Sequence, residues 1–165
     1  MSAEINQYIQ IVSPGSELHY ADIPSTELFS QINVRSEQRD TLFGPDKNPL
    51  ELALPYSTNS VSIYSGDKLI MLAGIVPMWC GVGELWALVD EDIMTYYRRD
   101  PRAFIKAVRM WMALTPYHRV QTPVREGFDA GTRFARFFGF KPEGLMTAYG
   151  PKRENYFRYA YVRGE

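Results

Sequence analysis

The sequence is short of the residues from which disulfide and metal chemistry is built. It holds one cysteine and two histidines in 165 residues. A single thiol cannot close an internal disulfide. Cys80 sits among apolar neighbours, so a buried, inert thiol is expected. His19 and His118 are far apart along the chain, and no spacing suits zinc, so no metal site is expected. No apolar run approaches ~18 residues, which speaks against a membrane-spanning helix. The start, Met1-Ser-Ala-Glu-Ile5, has neither a basic stretch nor an apolar core, so no secretory leader is expected there. Glycine is missing from Glu84 to Leu114. Nothing resembles a P-loop or a dinucleotide fingerprint, and no Ser-His-Asp set is suggested. The lone thiol and the missing leader together point to a reducing, intracellular setting.

What remains is an ordinary globular composition. Hydrophobic residues make up 45% and charged residues 22%, with 11 Tyr, 9 Phe and 3 Trp. That argues against disorder and suits one domain over 1–165 with one core. The net charge of −1 conceals an asymmetry. Met1 to Ile93 carries 4 basic and 13 acidic side chains; Met94 to Glu165 carries 14 and 6. The two halves either attract each other across the fold or leave a basic face for an anionic partner. Arg125, Arg133, Arg136 and Lys141 could form a basic stripe beside Tyr117 and Phe128. The acidic first half would repel a phosphate backbone, so a nucleic-acid partner is not expected.

Taken in order, Tyr8-Ile-Gln-Ile-Val12 alternates and is β-branched, which reads as a strand ended by Pro14-Gly15. Asp22 or Ser25 can cap a helix with Leu28, Phe29 and Ile32 on its apolar face. A short helix is expected over Ser36–Phe43 and a helical turn over Leu50–Leu54, closed by Pro55. Ser60–Tyr64, Lys68–Val76 and Glu84–Val89 form an antiparallel meander with Ser65-Gly66-Asp67 as its first turn. Trp79 and Cys80 lie at the second turn. Met94–Arg99 reads as a crossing. Asp100 and Pro101 then start a helix with Phe104, Ile105, Val108, Trp111 and Met112 on one face. Arg102, Lys106 and Arg109 lie on the other. Arg119–Val124 should be a strand parallel to Glu84–Val89, because a helix joins the two. Asp129 reads as the cap of a last helix with Phe134, Phe137 and Phe138 inward, and Gly139 as its left-handed stop. Leu145–Tyr149 and Tyr156–Val162 are the closing strands, turned by Gly150-Pro151.

This order, with Arg133-Phe-Ala-Arg-Phe-Phe-Gly-Phe140 near its end, resembles the GNAT superfamily of acyl-CoA-dependent N-acyltransferases. The resemblance covers about Tyr8 to Val162. It implies a mixed α/β fold: a central, mostly antiparallel sheet of six to seven strands flanked by helices, in the order β-α-α-β-β-β-α-β-α-β-β. Gly83-Glu-Leu-Trp86, then Tyr97-Arg98-Arg99 and Phe104, is similar to GNAT-like internal virion or morphogenesis proteins of short-tailed bacteriophages. That implies a host-cytoplasmic or virion setting and a phage or host protein as partner.

The superfamily holds acetyl-CoA where the central strand feeds the long helix, because free N–H groups and the helix dipole favour phosphate there. Carried onto this chain, the resemblance implies Leu88, Val89, Arg98, Arg99, Arg102 and Phe134 at the cofactor. Glu84 would be the base that deprotonates an amine, and Tyr149 or Tyr159 the acid that protonates the leaving thiolate. Asp90 is the other carboxylate of that strand. The spaced glycines of the motif are missing, Pro101 removes an N–H, and Asp100 brings a negative charge. Ala135 stands where the family's helical tyrosine would be, and Phe128 aligns with its asparagine. The implied state is a degenerate acyl-CoA site in a non-catalytic binding protein; the alternative is an active N-acetyltransferase. Trp79, Tyr96 and Tyr97 would supply a contact surface.

Overall fold

The computed structural model describes residues 2–23, 25–38 and 53–164. Its first element is a helix, α1 (Ser2–Val12), and not the expected strand at Tyr8–Val12. Ile5 and Ile9, one helical turn apart, are both fully buried, and that period prevails over the local Ile-Gln-Ile-Val alternation. A four-residue strand follows, β1 (Leu18–Ala21), which the sequence reading missed. Ser25 caps only a short 3-10 helix, Thr26–Ser30, but Leu28, Phe29 and Ile32 are buried as expected. The expected helix over Ser36–Phe43 and the turn over Leu50–Leu54 fall largely outside the described residues. Pro55 lies inside a 3-10 turn, Leu54–Tyr56, and does not close one.

The meander is as read, with longer strands: β2 (Thr58–Ser65), β3 (Lys68–Trp79) and β4 (Val82–Val89). Cys80, in the turn between β3 and β4, is exposed and not buried. The expected crossing after β4 is helical, α2 (Ile93–Arg99). Asp92 stands at its cap position but makes no side-chain bond there, and its first turn has no acidic residue. α3 (Pro101–Leu114) begins at the expected cap, Asp100, and buries Phe104, Val108, Trp111 and Met112. β5 (Arg119–Arg125) runs parallel to β4.

α4 (Asp129–Phe137) differs in its start and its inner face. The cap position is Phe128, which gives no side-chain bond; Asp129 is already helical. Ala135 and Phe138 are buried, whereas Phe137 is 44% exposed. Gly139 has φ +87°, the left-handed stop the sequence called for. β6 (Lys141–Met146) starts and ends earlier than Leu145–Tyr149, and β7 (Tyr156–Val162) is as expected.

The sheet has seven strands in the order β1-β2-β3-β4-β5-β7-β6. All neighbours are antiparallel except β4 and β5. On β4, Leu85, Ala87 and Val89 pack toward the cluster that holds α1 and α3. Trp86 and Leu88 pack on the opposite face with Leu28, Phe29 and Ile32. No helix among the described residues is long and apolar enough to cross a membrane.

Candidate active site

The site comes from a failure of pairing at the middle of the sheet. β4 and β5 are joined at three positions: Val82↔Arg119, Gly83↔Val120 and Glu84↔Gln121. Beyond these, β4 stays on β3 as far as Val89↔Met71, and β5 stays on β7 as far as Arg125↔Tyr156. The two strands therefore open like a V. Pro123 lies two residues past the last pair and cannot donate a ladder hydrogen bond, so nothing at that point holds the edges together.

A cleft of about 690 Å³ fills the opening. That is the size of a small-molecule or cofactor site. Its walls are mostly apolar and aromatic, with Phe104 and Trp111 from α3 and Phe134 and Phe138 from α4. Glu84 stands at the apex, on the last paired residue of β4. The Gln121 side-chain amide donates to Glu84 Oε2 at 3.4 Å, and Arg119 donates to Gln121 Oε1 at 3.3 Å. Arg119 is itself held by Glu143, Nη1 to Oε1 at 2.7 Å, and its hydrogen bonds, with its charge adding to them, hold the Glu143 carboxyl below the usual range. Tyr149 lines the same cleft. Burial pushes its hydroxyl above the ordinary tyrosine value, and the negative charge of Glu84 pushes the same way. The two residues expected to act as base and acid therefore share one cavity.

The expected cofactor residues divide. Val89 and Phe134 line the cleft. Leu88 is fully buried on the other face of the sheet. Arg98, Arg99 and Arg102 are not among the described lining residues; Arg99 lies over the Tyr96 ring and 4.0 Å from Glu17. The arginines that do line the cleft are Arg35, Arg125 and Arg133. The sequence reading noted Arg125 and Arg133 only as part of a surface stripe. Tyr97 also lines it, packed edge-on against Phe104 and Phe137, whereas Trp79 sits at the closed end of the V, 65% exposed.

Two further places bear on the expected cofactor contacts. At the start of α3, Asp100 Oδ1 accepts from the Ala103 N–H at 3.1 Å, and Oδ2 accepts from Ser13 Oγ at 2.6 Å. Burial raises this carboxyl, but bonds from Ser13, Ser16 and the Ala103 N–H outweigh it, and the net shift is downward. A carboxylate thus caps the start of α3 on its α1 side, and Asp100 is not among the described residues that line the cleft. On the open edge of β4, the Gln38 amide donates to Ala87 O at 2.6 Å and accepts from Val89 N–H at 3.4 Å. The apolar, amide-edged part of the cleft suits an acyl-pantetheine arm.

No protein-family model matches the sequence, and no curated protein matches it. Similarity appears in three dimensions. Spermidine N-acetyltransferase from Vibrio cholerae, solved with CoA and spermine, superposes with a TM-score of 0.66 at 13% identity, covering 89% of this chain and 96% of that one. Ard1 from Thermoplasma volcanium gives 0.64 at 14%, covering 90% and 99%. Ribosomal-protein-S5-alanine acetyltransferase from Vibrio fischeri gives 0.63 at 12%, covering 90% and 94%. At these identities the likeness is one of fold. With its seven-stranded mixed sheet, single parallel junction and central V, this chain has the fold of the GNAT acetyltransferases.

Proposed function

We propose that this chain is a GNAT-fold binding protein with a degenerate acyl-CoA site, one that does not turn over acetyl-CoA. The observation that carries this reading is the position of the expected phosphate ligands: Arg98, Arg99 and Arg102 are not among the described residues lining the cleft. Asp100, at the start of α3, is likewise turned to α1, where its carboxylate takes the Ala103 N–H and the Ser13 hydroxyl. A pyrophosphate in the cleft would lack the guanidinium partners that the resemblance implies. Acyl-CoA binding is correspondingly weak. The sequence resemblance to phage internal virion proteins supports a phage or host protein as the working partner, in assembly and not in turnover. Tyr97, Met94 and Phe137, at the lip of the cleft, are the residues such a partner would cover. The test is an acetyl-transfer assay with acetyl-CoA and primary amines or host protein extracts. No steady transfer above background is expected; steady transfer abolished by Glu84→Gln would overturn the reading.

That second outcome defines the other reading, an active N-acetyltransferase. Glu84 and Tyr149 face one cleft, and the Tyr149 hydroxyl is held protonated, so a base and an acid are both in place for amine acylation.

A further inference from the structure

We infer that Gln38 is a built-in competitor for the cleft: its side-chain amide occupies the β4 edge that an extended, amide-bearing ligand would have to take. The inference rests on the reading of the β4–β5 cleft as the ligand site. Within a sheet, the backbone groups on the free edge of a strand need partners. β5 supplies β4 with partners only as far as Glu84. Past that point Ala87 O and Val89 N–H would be left facing the gap. Both are taken by one side chain, Gln38, donating at 2.6 Å and accepting at 3.4 Å.

A carboxamide carries the same donor and acceptor as a peptide unit. By accepting from one residue of β4 and donating to the residue two before it, Gln38 does what the C=O and N–H of one residue of a parallel neighbouring strand would do. Its amide and Glu84 both face the same cleft, from its β4 edge and from its apex. An extended chain that turns a C=O and an N–H toward β4, as a pantetheine arm with its two amides can, would need the same two backbone groups. Such a ligand binds only by displacing Gln38. A purely apolar ligand has no use for Ala87 O or Val89 N–H and leaves Gln38 in place.

The experiment compares the wild type with Gln38→Ala and Gln38→Glu, using pantetheine as the amide-bearing probe and octanoate as the probe without amides. Two net hydrogen bonds of competition correspond to roughly a tenfold or larger gain in pantetheine affinity for Gln38→Ala. Octanoate affinity should change less than about twofold. Amide exchange at Val89 should accelerate in Gln38→Ala and slow again when pantetheine is added. Gln38→Glu keeps the acceptor for Val89 N–H but loses the donor to Ala87 O, and should fall between the two. Unchanged or weaker pantetheine binding in Gln38→Ala would overturn the inference, as would Val89 exchange that ignores the substitution. Should Gln38→Ala fail to fold, Gln38→Glu carries the test: pantetheine affinity above that of the wild type is expected, and unchanged or weaker binding overturns the inference. Acetyl transfer by the wild type would end the non-catalytic reading and leave this comparison intact; a null result here would leave the non-catalytic reading standing.

Discussion

Replacing Asp100 by alanine removes two hydrogen bonds from one carboxylate. One is the cap on α3, from the Ala103 N–H at 3.1 Å, and such caps are worth about 1 kcal/mol. The other is the Ser13 hydroxyl at 2.6 Å, which ties α1 to α3; bonds to a charged group contribute about 1.5–3 kcal/mol. The two share a carboxylate and are not additive, so a loss of about 2–3 kcal/mol is expected. In a domain of this size that corresponds to a drop in melting temperature of roughly 5–10 °C. The pH dependence has a definite sign. The folded carboxyl lies below its ordinary value, so its stabilisation is present above the unfolded value of about 3.9 and fades as pH falls through the lower folded value. Urea unfolding of wild type and Asp100→Ala at pH 7 and at about pH 3 measures both effects. The gap should be full at pH 7 and narrow in acid, and Asp100→Asn should recover the Ala103 bond and part of the stability. A gap under about 0.5 kcal/mol at pH 7, or one that persists undiminished in acid, would refute the assignment.

Three further outcomes follow from other contacts. Gly74→Ala would place a Cβ 2.7 Å from the Trp86 ring and from Ser60 Oγ, in mid-sheet, and should cost about 1–3 kcal/mol in chemical denaturation. Asp90, nearly fully buried, lies 3.1 Å from Lys68 Nζ. Because the lysine side chain is 43% exposed and can return to water, Asp90→Ala should cost about 1–3 kcal/mol, below the usual loss for a broken buried pair. The bond to Asp90 raises the Lys68 value, so the pair's contribution is present below about pH 10.4 and is lost as pH rises through the higher folded value. The alkaline loss should vanish in Asp90→Ala. Tyr149 should ionise above the ordinary tyrosine range in an ultraviolet titration. Glu84→Gln should bring it only part of the way back, because burial is the larger cause.

The meander and α3 were legible because their signals agree: turn residues between β-branched runs, and a cap, a proline and a 3.6-residue apolar face at Asp100-Pro101. α1 was misread because Ile9-Gln-Ile-Val12 satisfies the strand period over a short window, whereas the helix period needs Ile5 as well. β1 has only four residues, too few for a pattern to stand out. At the site, the strand–helix order was legible, and the resemblance put Glu84 on the strand that borders the cleft; Pro123 was not read from the sequence as the end of the parallel pairing. Which way the arginines point could not be read. Arg98 and Arg99 close a separate helix, α2, where the sequence predicts only a crossing, so they were counted as a rim to the cleft. Gln38 was invisible as a partner of Ala87 and Val89, because the contact joins residues about 50 positions apart and follows no periodicity.

Calorimetric titration of the wild-type chain with acetyl-CoA bears most directly on the claim that the acyl-CoA site is degenerate, with Arg98, Arg99 and Arg102 outside the described lining of the cleft. The expected result is binding no tighter than about 1 mM. A saturable isotherm with a Kd of a few micromolar would contradict it.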